Sequence, residues 1–269
     1  PLHWQQQQWQ RLMQQAEQER LPHALLLMGP AGVGKRQFAA ALASFWLCSA
    51  PSASGACGQC QSCHLLTIGS HPDCCFPATS GKSEQLRVDE IRDVVEFCSK
   101  TAQLGRHRLV LLQPACSMNR SAQNALLKTL EEPGEGTLLL LVADRPQLLL
   151  PTVKSRCQQM LFAPPATADA LAWLQHEGLA ADAAEAALAA AAGAPLLAAQ
   201  LVHSEWFTER GEWVKLLLSL AEGRGALSIA GQQLGRYPQA GLLQALCHWS
   251  QQALRAGFLA WGSFAGWLT

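Results

Sequence analysis

The feature that most constrains this chain is a glycine-rich turn between an apolar strand and an apolar helix. Residues 25–28 are all apolar, which is typical of a buried strand in a parallel sheet. The pattern Gly-x-x-x-x-Gly-Lys follows over residues 29–35, and apolar residues then recur at helical spacing over 37–48. Glycines in such a turn let backbone N–H groups surround a phosphate, and the helix N-terminus adds positive potential. The sequence therefore predicts a P-loop.

The candidate phosphate-binding residues of this loop are Gly29, Gly32, Gly34, Lys35 and Arg36. Lys35 is the residue that would reach the outer phosphates of a nucleotide. Arg36 departs from the pattern, because a P-loop has Ser or Thr here to ligate Mg²⁺. Its guanidinium could fold over the loop and fill the phosphate site, or it could itself pair with a phosphate. The sequence therefore predicts a degenerate nucleotide site and leaves the binding of ATP or ADP open.

A second departure from a hydrolytic site follows the apolar strand predicted at 108–112. In a P-loop ATPase, acidic side chains after this strand hold Mg²⁺ and polarise the attacking water. Gln113 and Pro114 occupy those positions here, and neither side chain can perform either task. Together with Arg36, these residues predict a chain that has no ATPase chemistry of its own.

Four cysteines have spacings that are typical of a metal site. Cys48 ends the helix after the P-loop, and Cys57, Cys60 and Cys63 form a C-x-x-C-x-x-C pattern shortly afterwards. Four thiolates around Zn²⁺ make a closed tetrahedral site, so the ion would be structural rather than catalytic. An iron–sulfur cluster and a redox C-x-x-C pair are the alternatives. The favoured interpretation is a structural zinc module over residues 48–63.

Alternating strand and helix patterns predict an α/β domain with a parallel sheet in the first part of the chain. A boundary is predicted at the Ala-Pro-Pro sequence of residues 163–165, beyond which the chain is rich in Ala and Leu and reads as helical. The predicted domains are the α/β domain over 1–165, a three-helix unit over 166–204 and a further helical domain over 205–269.

Composition narrows the classes of function. Apolar residues make up 49% of the 269 residues and charged residues 15%, so we expect a sizeable core and no global disorder. The formal net charge is zero, which argues against a zinc-dependent nucleic-acid-binding module as the main role. No apolar run has the length of a membrane span, and the N-terminal residues lack a signal-peptide pattern. We therefore expect a cytoplasmic protein without membrane contacts.

Several motifs give the chain a specific family resemblance. Pro-His-Ala-Leu at 22–25 precedes the P-loop, the four-cysteine insertion follows its helix, and His-Pro-Asp lies at 71–73. Asn-Ala-Leu-Leu-Lys-Thr-Leu-Glu-Glu-Pro occupies 124–133, and Ser-Arg-Cys occupies 155–157. In these motifs the chain resembles the delta-prime subunits of bacterial DNA polymerase III clamp loaders. The gamma/tau subunits are the next most similar group.

The resemblance implies a particular domain organisation. The α/β domain over 1–165 would be an AAA+ P-loop domain with the inserted zinc module. Residues 166–204 would form a small helical lid, and residues 205–269 an all-α collar domain that is incomplete in this chain. Motor subunits of the family carry a sensor arginine on the last lid helix, and the corresponding stretch at 193–197 contains none.

The departures from the motor subunits determine the function that the resemblance implies. Gamma/tau subunits hydrolyse ATP and need the P-loop hydroxyl and the acid pair that are replaced here. The resemblance implies instead a non-hydrolysing stator subunit, whose Arg156 enters the ATP site of a neighbouring subunit as an arginine finger. An active gamma/tau-like clamp-loader ATPase is the alternative function.

The resemblance also implies partners. These are the gamma/tau and delta subunits in a hetero-pentamer, with the sliding clamp and primed DNA contacted through the complex. Such a complex loads the clamp onto primed DNA during replication. The chain would then be a non-catalytic subunit of the DNA-directed DNA polymerase III holoenzyme, with no polymerase chemistry of its own.

Overall fold

The structure is a computed structural model, and it describes residues 1–77, 85–204 and 207. The chain divides into two compact units, Pro1–Ala163 and Pro164–Thr269. The collar domain predicted over 205–269 lies outside the described residues, apart from Phe207.

The first unit alternates strands and helices along the chain. Its strands are β1 (Ala24–Met28), β2 (Cys74–Cys75), β3 (Arg108–Leu112), β4 (Thr137–Ala143) and β5 (Gln158–Leu161). Its α-helices are α1 (Gln6–Glu17), α2 (Lys35–Leu47), α3 (Gln61–Thr67), α4 (Val88–Ser99), α5 (Arg120–Glu131) and α6 (Pro151–Lys154). Short 3₁₀ helices lie at His3–Gln5, Ala115–Ser117 and Pro146–Leu148.

The strands form one parallel sheet in the order β2-β3-β4-β1-β5. Nearly every residue of β1, β3 and β4 is buried, as expected for central strands that are covered on both faces. The predicted α/β fold with a parallel sheet is therefore confirmed. Because the strands are parallel, their carboxyl ends share one edge of the sheet. The P-loop follows β1 at that edge, near the centre of the sheet.

The main core lies between the sheet and two helices. Leu26, Leu139 and Leu141 from the central strands belong to one fully buried cluster with Ile91 of α4 and Leu126 of α5. Burying one such side chain contributes roughly 1.5–3 kcal/mol of free energy. This packing fixes α5 against the sheet and thereby fixes where its last residues lie.

Local signals set the two ends of α5. The side chain of Asn119 accepts a hydrogen bond from the Ala122 N–H at 2.8 Å and so caps the start of the helix. Pro133 follows the last helical turn and has no N–H with which to continue the helix. The carbonyl of Leu130 is bonded to His23 Nε2 at 2.9 Å, just before β1 begins. The C-terminal end of α5 therefore lies at the amino edge of the sheet.

The second unit is described over residues 164–204 and at Phe207. It contains the helices α7 (Thr167–His176), α8 (Ala181–Ala190) and α9 (Pro195–Val202), whose buried residues are mostly Ala and Leu. Among the described residues, no single helix is long and apolar enough to span a membrane. Taken together, α8 and α9 pass the same length and composition test, but they are bent by 113° at the break between them.

Candidate nucleotide and metal sites

The P-loop has the backbone that its glycines predict. Gly29, Gly32 and Gly34 have φ angles of 151°, 79° and 96°, which other residues rarely adopt. A Cβ atom added at Gly29 would lie 2.0 Å from the Phe162 carbonyl oxygen, so a side chain at this position would displace the backbone after β5. The strand, turn and helix of a P-loop are therefore all present.

Lys35 is bonded to the protein itself. Its Nζ donates to the carbonyl oxygens of Gly29 at 2.8 Å and Pro30 at 2.6 Å. It also forms an ion pair with Asp144, at 2.6 Å from Oδ1, and only 2% of the lysine side chain is exposed. An ammonium group has three N–H donors, and three acceptors contact it here. In this structure Lys35 therefore points into its own loop and towards Asp144.

The N-terminal segment lies against the same loop. Trp4 Nε1 and Gln5 Nε2 both donate to the Val33 carbonyl oxygen, at 3.1 and 3.2 Å. A Cβ atom added at Gly34 would lie 2.5 Å from Leu2 Cδ1, which shows how closely this segment covers the turn. Gln5 is fully buried in this position. The loop is thus covered by residues that are remote from it in sequence.

Arg36, Gln113 and Pro114 all lie at the carboxyl edge of the sheet. Arg36 is exposed on the first turn of α2 and forms no side-chain hydrogen bond with the described residues. Gln113 and Pro114 directly follow β3 at the carboxyl edge of the sheet. Asp144 follows β4 at the same edge, but its carboxylate is paired with Lys35. Sequence reasoning missed Asp144, although an acidic residue after a buried strand was a usable signal.

The four predicted metal ligands are brought together. The Sγ atoms of Cys48, Cys57, Cys60 and Cys63 all lie within 4.8 Å of one another. Cys48 Sγ and Cys60 Sγ are 3.9 Å apart, and tetrahedral Zn–S bonds would place two sulfurs about 3.8 Å apart. Cys48 directly follows α2, and Cys63 lies in the first turn of α3. The loop between the two helices supplies Cys57 and Cys60. The cluster can therefore hold a metal ion.

The surroundings of the cluster favour thiolates at two positions. A hydrogen bond from Ser49 lowers the pKa of Cys60 to about 5, and backbone N–H groups, that of Gln59 first, lower the pKa of Cys57. Burial raises the pKa of Cys63 to about 12. A bound dication would offset that burial cost, because it stabilises the charged form of its ligands.

The His-Pro-Asp motif has a structural role in the described chain. The fully buried carboxylate of Asp73 accepts hydrogen bonds from the backbone N–H groups of Gln103 and Leu104, at 2.7 and 2.8 Å. The buried guanidinium of Arg108 lies 4.0 Å from it, measured from Nε to Oδ1. His71 Nδ1 accepts from the Asp73 N–H at 3.1 Å. These contacts attach the segment before β3 to the residues directly before β2.

Arg156 lies at the opposite end of the sheet from the P-loop. It belongs to the turn between α6 and β5, and the register pairs Gln158 with Leu25 and Leu161 with Met28. Arg156 therefore precedes the amino end of β5, whereas the P-loop follows the carboxyl end of β1. The length of the strand alone separates the two by about 10 Å. This guanidinium does not face the P-loop of its own chain.

Two neighbouring groups hold the Arg156 side chain. Its Nε donates to Glu131 Oε1 at 2.6 Å, and its Nη2 donates to the same oxygen. Its Nη1 donates to the Thr152 carbonyl oxygen at 3.1 Å. The side chains of Arg156 and Glu131 are 31% and 50% exposed. Sequence reasoning missed Glu131, because no local pattern relates the end of α5 to the turn before β5.

Comparison with known proteins identifies the family. The family described as "DNA polymerase III, delta subunit" matches residues 4–166. DNA polymerase III subunit delta′ of Pseudomonas aeruginosa is 42% identical over 255 residues, which are 94% of this chain and 76% of that relative. The chain belongs to the DNA polymerase III delta′ family. The delta′ subunit of Escherichia coli K12 is 34% identical over 231 residues, covering 81% of this chain and 69% of that protein.

Solved structures agree with the fold of this delta′-family chain. The Holliday junction branch migration motor RuvB of Thermotoga maritima superposes with a TM-score of 0.51 at 13% identity. The match covers 95% of this chain and 87% of that one. At this identity the likeness concerns the fold alone, and it agrees with the AAA+ fold that the resemblance to delta-prime subunits implied. The resemblance to delta-prime subunits is likewise confirmed.

Proposed function

We propose that this delta′-family chain is a non-hydrolysing subunit of the DNA polymerase III clamp loader, which loads the sliding clamp onto primed DNA. The observation that carries the proposal is the state of Lys35. A P-loop lysine that binds a nucleotide must present its ammonium to the phosphates. Here Asp144 and two carbonyl oxygens take all three donors, and the segment from Leu2 to Gln5 covers the turn.

The alternative, an active gamma/tau-like ATPase, has less support. Arg36 stands where a hydroxyl would ligate Mg²⁺, and Gln113 and Pro114 stand where acidic residues would hold the ion and polarise water. Each loss removes a different part of the machinery, so one compensating water molecule would not restore the site. The family relatives described above are named as delta′ subunits, which also favours the non-hydrolysing role.

We further propose that Arg156 serves a neighbouring subunit's ATP site in trans. Its place beyond the amino edge of the sheet, away from its own P-loop, supports this assignment. A guanidinium is permanently charged and planar, and it binds two phosphate oxygens at once better than an ammonium does. The neighbours in the proposal are gamma/tau and delta subunits in a hetero-pentamer, in the cytoplasm where chromosomal DNA is replicated.

The metal in this proposal is one structural zinc ion bound by Cys48, Cys57, Cys60 and Cys63. The donor set supports zinc, because four thiolates close a tetrahedral shell and leave no position for water or substrate. The zinc ion would link the four cysteines to one another and would take no part in a reaction. It would fasten the loop between α2 and α3 to the core of the first unit.

The first test is ATP hydrolysis by the purified chain alone. We expect no turnover above background with or without Mg²⁺, because the site lacks the metal ligand and the acid pair. The measurement is steady-state release of phosphate, with nucleotide binding followed in parallel by calorimetry. The variant Lys35→Ala is the control. Steady turnover by the wild type that this variant abolishes would contradict the proposed function and support the gamma/tau-like alternative.

A further inference from the structure

Glu131 lies at a position that is electrostatically unfavourable for a carboxylate, and its ion pair with Arg156 compensates for this. It is the last residue of α5, and the C-terminal end of a helix carries partial negative charge, which disfavours another carboxylate. The ion pair with Arg156 offsets this effect. Both side chains are partly exposed, however, and exposed ion pairs contribute little to the free energy of folding. The main effect of the pair is therefore on the orientation of the Arg156 side chain, not on the stability of the fold.

The carboxylate contacts one particular edge of the guanidinium. Nε and Nη2 form the side edge of an arginine, and both donate to Glu131 Oε1. Nη1 and Nη2 form the outer edge, and each of these nitrogens carries two N–H groups. Among the described residues, Nη2 contacts only Glu131, and Nη1 contacts only the Thr152 carbonyl oxygen. N–H groups of the outer edge are therefore left for a second ligand.

We propose that Glu131 is a positioning residue that holds Arg156 ready for a phosphate of the neighbouring subunit's nucleotide. The inference rests on the proposed function and assigns a second residue to the same site. A guanidinium can accept a carboxylate on its side edge and an anion on its outer edge. Because Glu131 and Thr152 already fix the side chain, less rotamer freedom is lost when the finger acts. Electrostatic stabilisation is most effective when the charge is placed in advance.

The test uses the complete clamp-loader complex, reconstituted with the delta′-family chain as wild type or as Glu131→Ala. The kcat for ATP hydrolysis is expected to fall about five- to tenfold, because a freed arginine must be ordered again in each turnover. The KM for ATP is expected to stay unchanged, since the nucleotide is bound by the neighbour's own P-loop. The matched control is Glu132→Ala. It removes the adjacent exposed carboxylate, which has no side-chain partner among the described residues, and should keep the wild-type kcat.

A double variant separates positioning from a merely structural role. In an Arg156→Ala background, Glu131→Ala should cause no further fall in kcat, because its effect passes through the guanidinium. A structural role would instead add its own loss in that background, together with a lower melting temperature or weaker assembly. Melting temperature and subunit assembly are therefore measured for every variant, and both are expected to match the wild type.

The possible outcomes distinguish this inference from the proposed function. If Arg156→Ala leaves turnover unchanged, the proposed trans role of Arg156 fails, and this inference fails with it, whereas the non-hydrolysing role of the chain is tested separately by its own ATP turnover. If Arg156→Ala lowers kcat and Glu131→Ala does not, only the positioning role fails. A rise in kcat for Glu131→Ala would mean that the carboxylate competes with phosphate for the arginine, and this result would also overturn the inference.

Discussion

Replacing Arg156 with alanine is expected to lower ATP turnover at the neighbouring site by on the order of 10³–10⁵-fold. An arginine supplied in trans stabilises the charge that develops on the transferred phosphoryl group. The chain itself should remain folded, because the Arg156 side chain is partly exposed and lies outside the main core. The measurement is steady-state ATP hydrolysis and clamp loading by the reconstituted complex, with clamp and primed DNA present.

Two further variants sharpen this prediction. Arg156→Lys should restore little activity, because an ammonium lacks the planar fork that binds two phosphate oxygens. Lys154→Ala removes a neighbouring cation from the end of α6 and is the matched control for a general change of charge, with near-normal turnover expected. Equal losses for Lys154→Ala and Arg156→Ala would mean that the surface needs only positive charge. Unchanged turnover for Arg156→Ala would leave Arg156 without the proposed role.

Replacing Cys60 with serine is expected to remove the metal ion and to unfold the loop between α2 and α3. Structural zinc contributes about 10–16 kcal/mol of apparent binding free energy in zinc-finger peptides at neutral pH, and that energy holds the fold of the module. Serine offers no thiolate, so the tetrahedral shell would be left open. The measurement is metal analysis by mass spectrometry, where the wild type should contain about one zinc ion per chain. Proteolysis of the loop reports its loosening.

The control for the metal prediction is a cysteine outside the cluster. Cys116 lies in the short 3₁₀ helix after β3, and Cys116→Ser should keep the full metal content. Iron with inorganic sulfide and visible absorption would establish the iron–sulfur alternative instead. Purified protein without any metal, in which all four thiols of the cluster are reduced and reactive, would contradict a metal site altogether.

Much of the site was readable from local patterns. The P-loop was predicted because its strand, glycines, lysine and helix follow one another within a short segment, and each has its own sequence signal. The four cysteines were predicted to meet because three of them are close in sequence and the fourth ends the preceding helix. The start of α5 is likewise a local matter, because Asn119 is a residue type that favours the N-cap and its side chain accepts a hydrogen bond from the Ala122 N–H.

The sequence by itself determined the order of strands and helices, the degenerate P-loop and the clustering of thiols, because apolar periodicity and short-range spacing are local properties. Three contacts became evident only from the tertiary structure. Asp144 forms an ion pair with Lys35, and Glu131 forms one with Arg156. The segment from Leu2 to Gln5 covers the P-loop. Each of these contacts joins residues far apart in the chain. The order β2-β3-β4-β1-β5 places β1 beside β4 and so brings Lys35 and Asp144 together. That order depends on which apolar faces pack against one another, which no local pattern specifies.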